Sequence, residues 1–252
     1  MDYAIFGTLK LICMKRIFCL AVVVSIVASS CHLFNERVRG SGNVATVVRE
    51  AHGFNSIDVS SSINVYVKQD SAESVKVVVD DNLQPYIHVS VQNGVLVIEQ
   101  ERNTSLRPTS GIRVYVSAPA FVLFKASGAC NYYTENKVSA TDAIKIDLSG
   151  ASDAKMEIMA PKITADISGA GSVILSGETK DLSLDASGAS SFKCMGMMAE
   201  NVAVDLSGAS NAEVFASVKL DVDASGASGV TYKGNAAVNQ KTSGASSIKK
   251  VD

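Results

Sequence analysis

Five aspartates recur at nearly even spacing in the second half of the chain: Asp147, Asp166, Asp185, Asp205 and Asp223. Lys125 and Lys241 hold the equivalent positions before and after them. If the chain coils so that these positions stack, the carboxylates form a ladder with rungs about 4.8 Å apart. Neighbouring unit charges at that distance repel by roughly 0.9 kcal/mol even at the dielectric of water, so the row needs compensation. Asp accepts hydrogen bonds from nearby backbone amides or a Ser hydroxyl in tight turns, and this local role is the preferred one. A cation such as Ca2+ wants six to eight oxygens, more than a flat row presents without water. Two carboxylates near 5 Å also suit a retaining glycosidase, but that chemistry needs one acid held protonated and nothing in the sequence singles one out. No metal, cofactor or catalytic residue is therefore assigned, and the five aspartates are the candidates should a cation bind.

The other reactive side chains are scattered. His32, His52 and His88 stand at no metal-ligand spacing from one another or from a cysteine. No Gly-x-Ser-x-Gly elbow occurs, and Gly169-Ala170-Gly171 lacks the third glycine of a dinucleotide site. A formal net charge of −2 and the absence of Trp leave neither the cationic excess nor the stacking platforms that nucleic acid requires. With 47% hydrophobic and 19% charged residues the chain can bury a real core.

Residues 1–30 are expected to be a signal peptide. Lys15 and Arg16 precede the apolar run from Ile17 to Ala28, and Ala28-Ser29-Ser30-Cys31 follows. The run falls short of the roughly 20 apolar residues of a membrane span, and Met14 is the expected start. The small residues ending in Cys31 resemble the lipobox of bacterial lipoproteins, which implies that Cys31 is acylated and becomes the first mature residue, with 31–40 as a lipidated N-terminus and short linker. Cys13 and Cys19 then lie in or before the signal, leaving Cys130 and Cys194 in the mature domain.

The aspartates belong to a larger repeat. Ser-Gly-Ala occurs seven times, at Ser127, Ser149, Ser168, Ser187, Ser207, Ser225 and Ser243, with spacings of 22, 19, 19, 20, 18 and 18. Before each triplet, apolar residues alternate, as in Ile144, Ile146 and Leu148, and after it they alternate again, as in Val173 and Leu175. Period two means strand, so each unit holds two short strands joined at a Ser-Gly-Ala corner and a looser second turn. A unit of this length has no room for a crossover helix. A parallel coil places every triplet in register, which makes the fold all-β: a single-stranded parallel, right-handed β-helix, with an antiparallel meander or β-prism as the alternative. In that stack Cys130 and Cys194 are three coils, about 14 Å, apart and beyond disulfide reach. Residues 41–120 alternate less regularly and are expected to form a strand-rich N-terminal cap, with a hairpin turn at Gln92-Asn93-Gly94. Asp58-Val59-Ser60-Ser61-Ser62 reads as a degenerate copy of the later Asp-x-Ser-Gly-Ala.

Gly40-Ser41-Gly42-Asn43, Phe54-Asn55-Ser56-Ile57, Asp80-Asp81-Asn82-Leu83, Asn93-Gly94-Val95-Leu96 and the serial corners together resemble the auto-transporter adhesin head domain, the GIN domain family, over 41–252. The resemblance implies a β-helical envelope protein of Gram-negative bacteria, often lipidated, and brings no catalytic residues. The expectation is a non-enzymatic lipoprotein, anchored in the outer membrane on its periplasmic or surface face. It would be an adhesin-like or structural module contacting a glycan or an envelope protein. The alternatives are a carbohydrate-active β-helix enzyme using the Asp row, or an envelope assembly factor.

Overall fold

The bend that the sequence repeats carries the fold. In the computed structural model, which describes residues 36–252, each Ser-Gly-Ala corner holds its glycine at positive φ, from 72° at Gly244 to 119° at Gly169. Left-handed backbone is one reason for glycine there. Closeness is the other: a Cβ on Gly150 would strike the carbonyl oxygen of Gly128 one coil earlier, and the same clash recurs up the column to Gly244. The following amide bonds that same carbonyl, Ala151 N to Gly128 O at 2.7 Å, Ala209 N to Gly188 O at 2.8 Å and Ala245 N to Gly226 O at 2.7 Å. The corner is thus a hydrogen-bonded column, so each coil must repeat it in register. The export signal over 1–30, Met14 and Cys31 lie outside the described residues.

The first part of the chain runs β1 (Glu36–Arg39), β2 (Val44–Arg49), β3 (Ser56–Ser61), β4 (Ile63–Gln69), β5 (Ser74–Asp80), a 3-10 turn (Asp81–Tyr86), β6 (Ile87–Gln92), β7 (Val95–Gln100), β8 (Thr104–Arg107) and β9 (Ile112–Ala118). β1 and β8 form a two-stranded sheet. Residues 36–38 and 102–105 belong to a small unit separate from the main one, which comprises Arg39–Glu101 and Leu106–Asp252. In the main unit β3 and β4 are the first coil, joined at Ser60-Ser61-Ser62. Ser61 stands opposite Gly128 and takes the same left-handed turn, with φ 88°. Hairpin strands close this end into a barrel-like cap: β7 lies parallel to β3 and carries antiparallel β6, while β9 lies parallel to β4 and carries antiparallel β5 and then β2. The two-residue loop Asn93-Gly94 takes φ 51° and 79°, as a type I′ hairpin turn requires.

The solenoid follows as β10 (Leu123–Gly128), β11 (Asn131–Thr134), β12 (Val138–Ser139), β13 (Ile144–Gly150), β14 (Asp153–Gly169), β15 (Ser172–Gly188), β16 (Ser191–Leu206), β17 (Asn211–Ala224), β18 (Gly229–Lys233), β19 (Ala237–Thr242) and β20 (Ser247–Lys250). Its neighbours pair parallel throughout, as the in-register corners demand. The second bend differs from expectation. In β14 to β17 one strand of 14 to 17 residues runs through it, because inter-coil pairing continues across the bend, Ala160 with Thr179 and Lys162 with Asp181, then Thr179 with Ala199 and Asp181 with Asn201, and skips one residue of each coil, Pro161, Lys180 and Glu200. A register shift after Ile174 absorbs the extra residue of the 20-residue unit, and shifts after Cys194 and after Ala199 together bring the next unit to 18. The core is the inward set of each strand. Leu148, Ile167, Ala186, Leu206 and Ala224 fall in one buried row. The coil that carries the small Ala186 also carries the buried Phe192.

Candidate functional site

Parallel stacking brings the five aspartates together as the spacing predicts. Asp147, Asp166, Asp185, Asp205 and Asp223 are successive partners between Lys125 and Lys241, and Asp58 extends the row beyond Lys125. Alternation turns all of them outward. The expected corner bonds are not made: the corner amides are engaged with the preceding coil throughout, and the hydroxyls at three of the five corners. The corner amides bond the glycine carbonyls below. The hydroxyls of Ser149, Ser207 and Ser225 donate to the carbonyls of Ala126, Ala186 and Leu206 at 3.2, 3.4 and 3.4 Å.

Charge compensates the row unevenly. Lys145 Nζ lies 2.9 Å from Asp166 and 3.8 Å from Asp147, and Lys125 lies 3.3 Å from Asp58. Asp185 has no cation beside it. Burial, then the Asp205 charge, then that of Asp166 push its carboxyl above the ordinary range. It is therefore the one member of the row shown to hold its proton more tightly, the property an acid catalyst would need, but it sits on an open outer face. Among the described residues no group of three or more His, Cys, Asp or Glu is placed to hold a metal ion.

Cys130 and Cys194 are free and buried. Burial raises both thiols, Cys194 to about 12, so neither is a thiolate nucleophile at neutral pH. Cys130 stands in a ladder of inner corner hydroxyls: its Sγ meets Ser127 O at 3.4 Å, where Ser152, Ser190, Ser210 and Ser228 donate to Ser149, Ser187, Ser207 and Ser225 O at 3.0, 3.2, 3.0 and 2.8 Å. His52 lies beside Glu50 and Glu73, and His88 beside Glu101, all as surface pairs.

Two constellations were not foreseen. The Gly40–Asn43 and Asp80–Asn82 segments clasp one another. Buried Asp80 accepts from Gly42 N at 2.8 Å, Thr109 Oγ1 at 2.7 Å and Thr109 N at 2.9 Å. Asp81 accepts from Ser41 Oγ at 2.5 Å and Asn43 Nδ2 at 2.8 Å, and Asn82 accepts from Ser41 N at 2.9 Å. A side chain on Gly40 would run into the Asp80 carboxylate. The bonds from Thr109 to Asp80, and from Ser41 and Asn43 to Asp81, hold both carboxyls below the usual range.

The second is a column of half-buried tyrosines on the outer face. Tyr115 stacks on Tyr66 with centroids 4.9 Å apart, and Tyr66 on Tyr133 at 5.3 Å. A signal existed for part of it: Tyr66 and Tyr133 both stand six residues after the first Ser of their corner, at Ser60 and Ser127. Tyr115 follows no corner.

Solved structures share this architecture. A "putative adhesin" of Bacteroides fragilis superposes with a TM-score of 0.80 at 20% identity, covering 85% of this chain and all of its own. Two proteins of Parabacteroides distasonis, a "putative adhesin" at 24% identity and a "Putative lipid binding protein" at 20%, give 0.69 and 0.66, each covering 86% of this chain and all of its own. At these identities the likeness is one of fold. No curated protein matches the sequence. Residues 53–236 match the family described as "Putative auto-transporter adhesin, head GIN domain", and with the corners, the clasp and the β-helix in place the chain belongs to that family.

Proposed function

We propose that the chain is a non-enzymatic, adhesin-like module of the cell envelope, held to the outer membrane through a lipid on Cys31 and contacting an extended surface polymer. The observation that carries this is the outward face of the solenoid. Polar side chains line up across successive coils, as in Asn131, Asp153, Ser172, Ser191 and Asn211. The row repeats one contact every coil, about 4.8 Å, which suits a repetitive ligand bound through many weak contacts. The family description and the relatives called adhesins point the same way. The rival enzyme would use neighbouring members of the Asp row, and the open face around Asp185 favours contact over turnover.

Three experiments test this. The purified protein is expected to bind members of a glycan and host-matrix array while releasing no reducing ends from acidic or neutral polysaccharides; turnover would establish the enzyme instead. Cys31→Ser is expected to move the protein from the membrane to the soluble or unprocessed fraction and to abolish fatty-acid labelling. Unchanged fractionation would remove the lipid anchor. Crosslinking in intact cells that captured one protein partner and no glycan would favour an assembly factor.

A further inference from the structure

The outer face of β2, β5, β9 and β4 holds a groove of about 560 Å3, distinct from the Asp row. Antiparallel β5 sets its contents in register with β9: Val78 beside Arg113, Lys76 beside Tyr115, Ser74 beside Ser117. On the same face Lys68 is satisfied by Asp70 at 2.7 Å. Arg113 and Lys76 have no such partner among the described residues, and Arg113 Nε is buried without an acceptor. A buried donor left unmade is costly, and a guanidinium fork is matched by a carboxylate.

The rest of the groove narrows the ligand. Tyr66 covers one face of Tyr115 and holds the ring in place, leaving the other face on the β5 side, toward Lys76. Asp70 and Glu135 line the groove as well. Those two carboxylates would find no donor on a polyphosphate or on acidic side chains, but they accept hydrogen bonds from hydroxyls. One negative charge, an apolar ring face and several hydroxyls on a single unit describe an acidic sugar.

We infer that this groove binds a carboxylated sugar residue of the uronic acid type within a surface polysaccharide. Its carboxylate lies on Arg113 and Lys76, its ring against Tyr115, and its hydroxyls toward Asp70 and Glu135. This rests on the adhesin reading and gives it a site and a ligand chemistry.

The test is calorimetric titration of the full-length protein in detergent with a hexameric oligogalacturonate, beside a neutral hexasaccharide, polyglutamate and inorganic phosphate. Only the oligogalacturonate is expected to bind, more weakly as salt rises. Arg113→Gln and Lys76→Gln should each weaken binding about ten-fold or more, the scale of a lost hydrogen bond to a charged group. Arg113→Lys should restore part of the loss, and Tyr115→Leu should weaken binding as well. Lys155→Gln, beside Tyr133 on the next coil and outside the groove, should leave affinity unchanged. Neither removed cation has a partner, so neither variant should melt below the wild type. Equal binding of the neutral sugar, polyglutamate or phosphate would overturn the inference, as would unchanged affinity in Arg113→Gln. If the protein binds an arrayed polymer and the Arg113→Gln, Lys76→Gln double variant binds it equally, the groove falls and the adhesin reading stands. If the wild type binds no polymer at all, both fall.

Discussion

Asp185 and Asp80 are carboxylates pushed in opposite directions, and the signs of their effects on stability follow. Asp185 is raised by burial and by Asp205 and Asp166, with no hydrogen bond to offset them. A carboxyl whose native value lies above its unfolded one binds protons more readily when folded. Its charge therefore opposes folding above the native value, and the penalty is relieved as pH falls through it. Asp185→Asn should accordingly raise the melting temperature at neutral pH, by the equivalent of under about 1 kcal/mol because the site is exposed to solvent and salt. The gain should close as pH drops through the carboxylate range and shrink in high salt. A lower melting temperature for the variant would reveal a local bond the row does not otherwise show. A Ca2+-dependent rise in the wild type, lost in Asp185→Asn, would reveal a cation site. Asp80 is the reverse case. Its value is depressed by Thr109 and Gly42, so its contribution is present above the ordinary carboxylate value and lost as pH falls through the lower native one. Asp80→Asn should melt below wild type at neutral pH and converge with it in acid; parallel curves across the whole pH range would mean that the clasp does not depend on the charge.

The corner decides each coil, and its glycines are not interchangeable with the serine that begins the series. Gly188 combines φ 92° with contact against the Gly169 carbonyl. Gly188→Ala should cost about 2–5 kcal/mol, from left-handed strain together with overpacking, read as a fall in the denaturation midpoint. Ser61 adopts the same φ at the first corner, where the pairing of β3 with β7 ends at Val59 and Ile98, before the bend. A side chain has room there, so Ser61→Gly should change stability by less than about 1 kcal/mol, relief of strain being offset by the freer unfolded chain. A large loss in Ser61→Gly would show that the hydroxyl itself holds the corner. This contrast also explains what was legible in the sequence. The seven corners, the Asp row and the degenerate Ser60-Ser61-Ser62 copy could be read because each depends on a local requirement that recurs with the coil. The pairing of β4 with β9, and of β9 with β5, could not: those partners lie about 50 and 40 residues apart in sequence and share no repeated motif. The groove went unseen for that reason, since Lys76 and Tyr115 meet only through that register. The expected corner bonds of the aspartates failed for a related cause: a single coil shows free amides, and only the stack shows them taken.

At the scale of the whole molecule the solenoid is a series of nearest-neighbour contacts, so its stability should behave as a sum over coils rather than as one indivisible core. β14 pairs with β15 residue for residue from Asp153 with Ser172 to Gly169 with Gly188, without a register shift. Removing Ala170–Gly188 and joining Gly169 to Ala189 would present β14 to β16 in the place of β15, with the corner column, the inward apolar rows and the later register shift all preserved. That variant should retain a β-rich circular dichroism spectrum and a cooperative thermal transition at a lower temperature, because one inter-coil interface is gone. Removing only Ala170–Glu178 should behave differently. It would bring the segment before the next corner beneath the segment after the last one, so that no glycine column lines up: Gly188 would take the place of Thr179 opposite Ala160 instead of lying on Gly169. The coils beyond the cut should then be digested rapidly by limited proteolysis, while the N-terminal cap stays resistant. If the two deletions unfold alike, the coils are not independent units and the repeat reflects a constraint on the whole stack. If the whole-coil deletion folds and the half-coil deletion does not, the number of coils is free to vary, and so is the length of the outward polar rows that a repetitive ligand would meet.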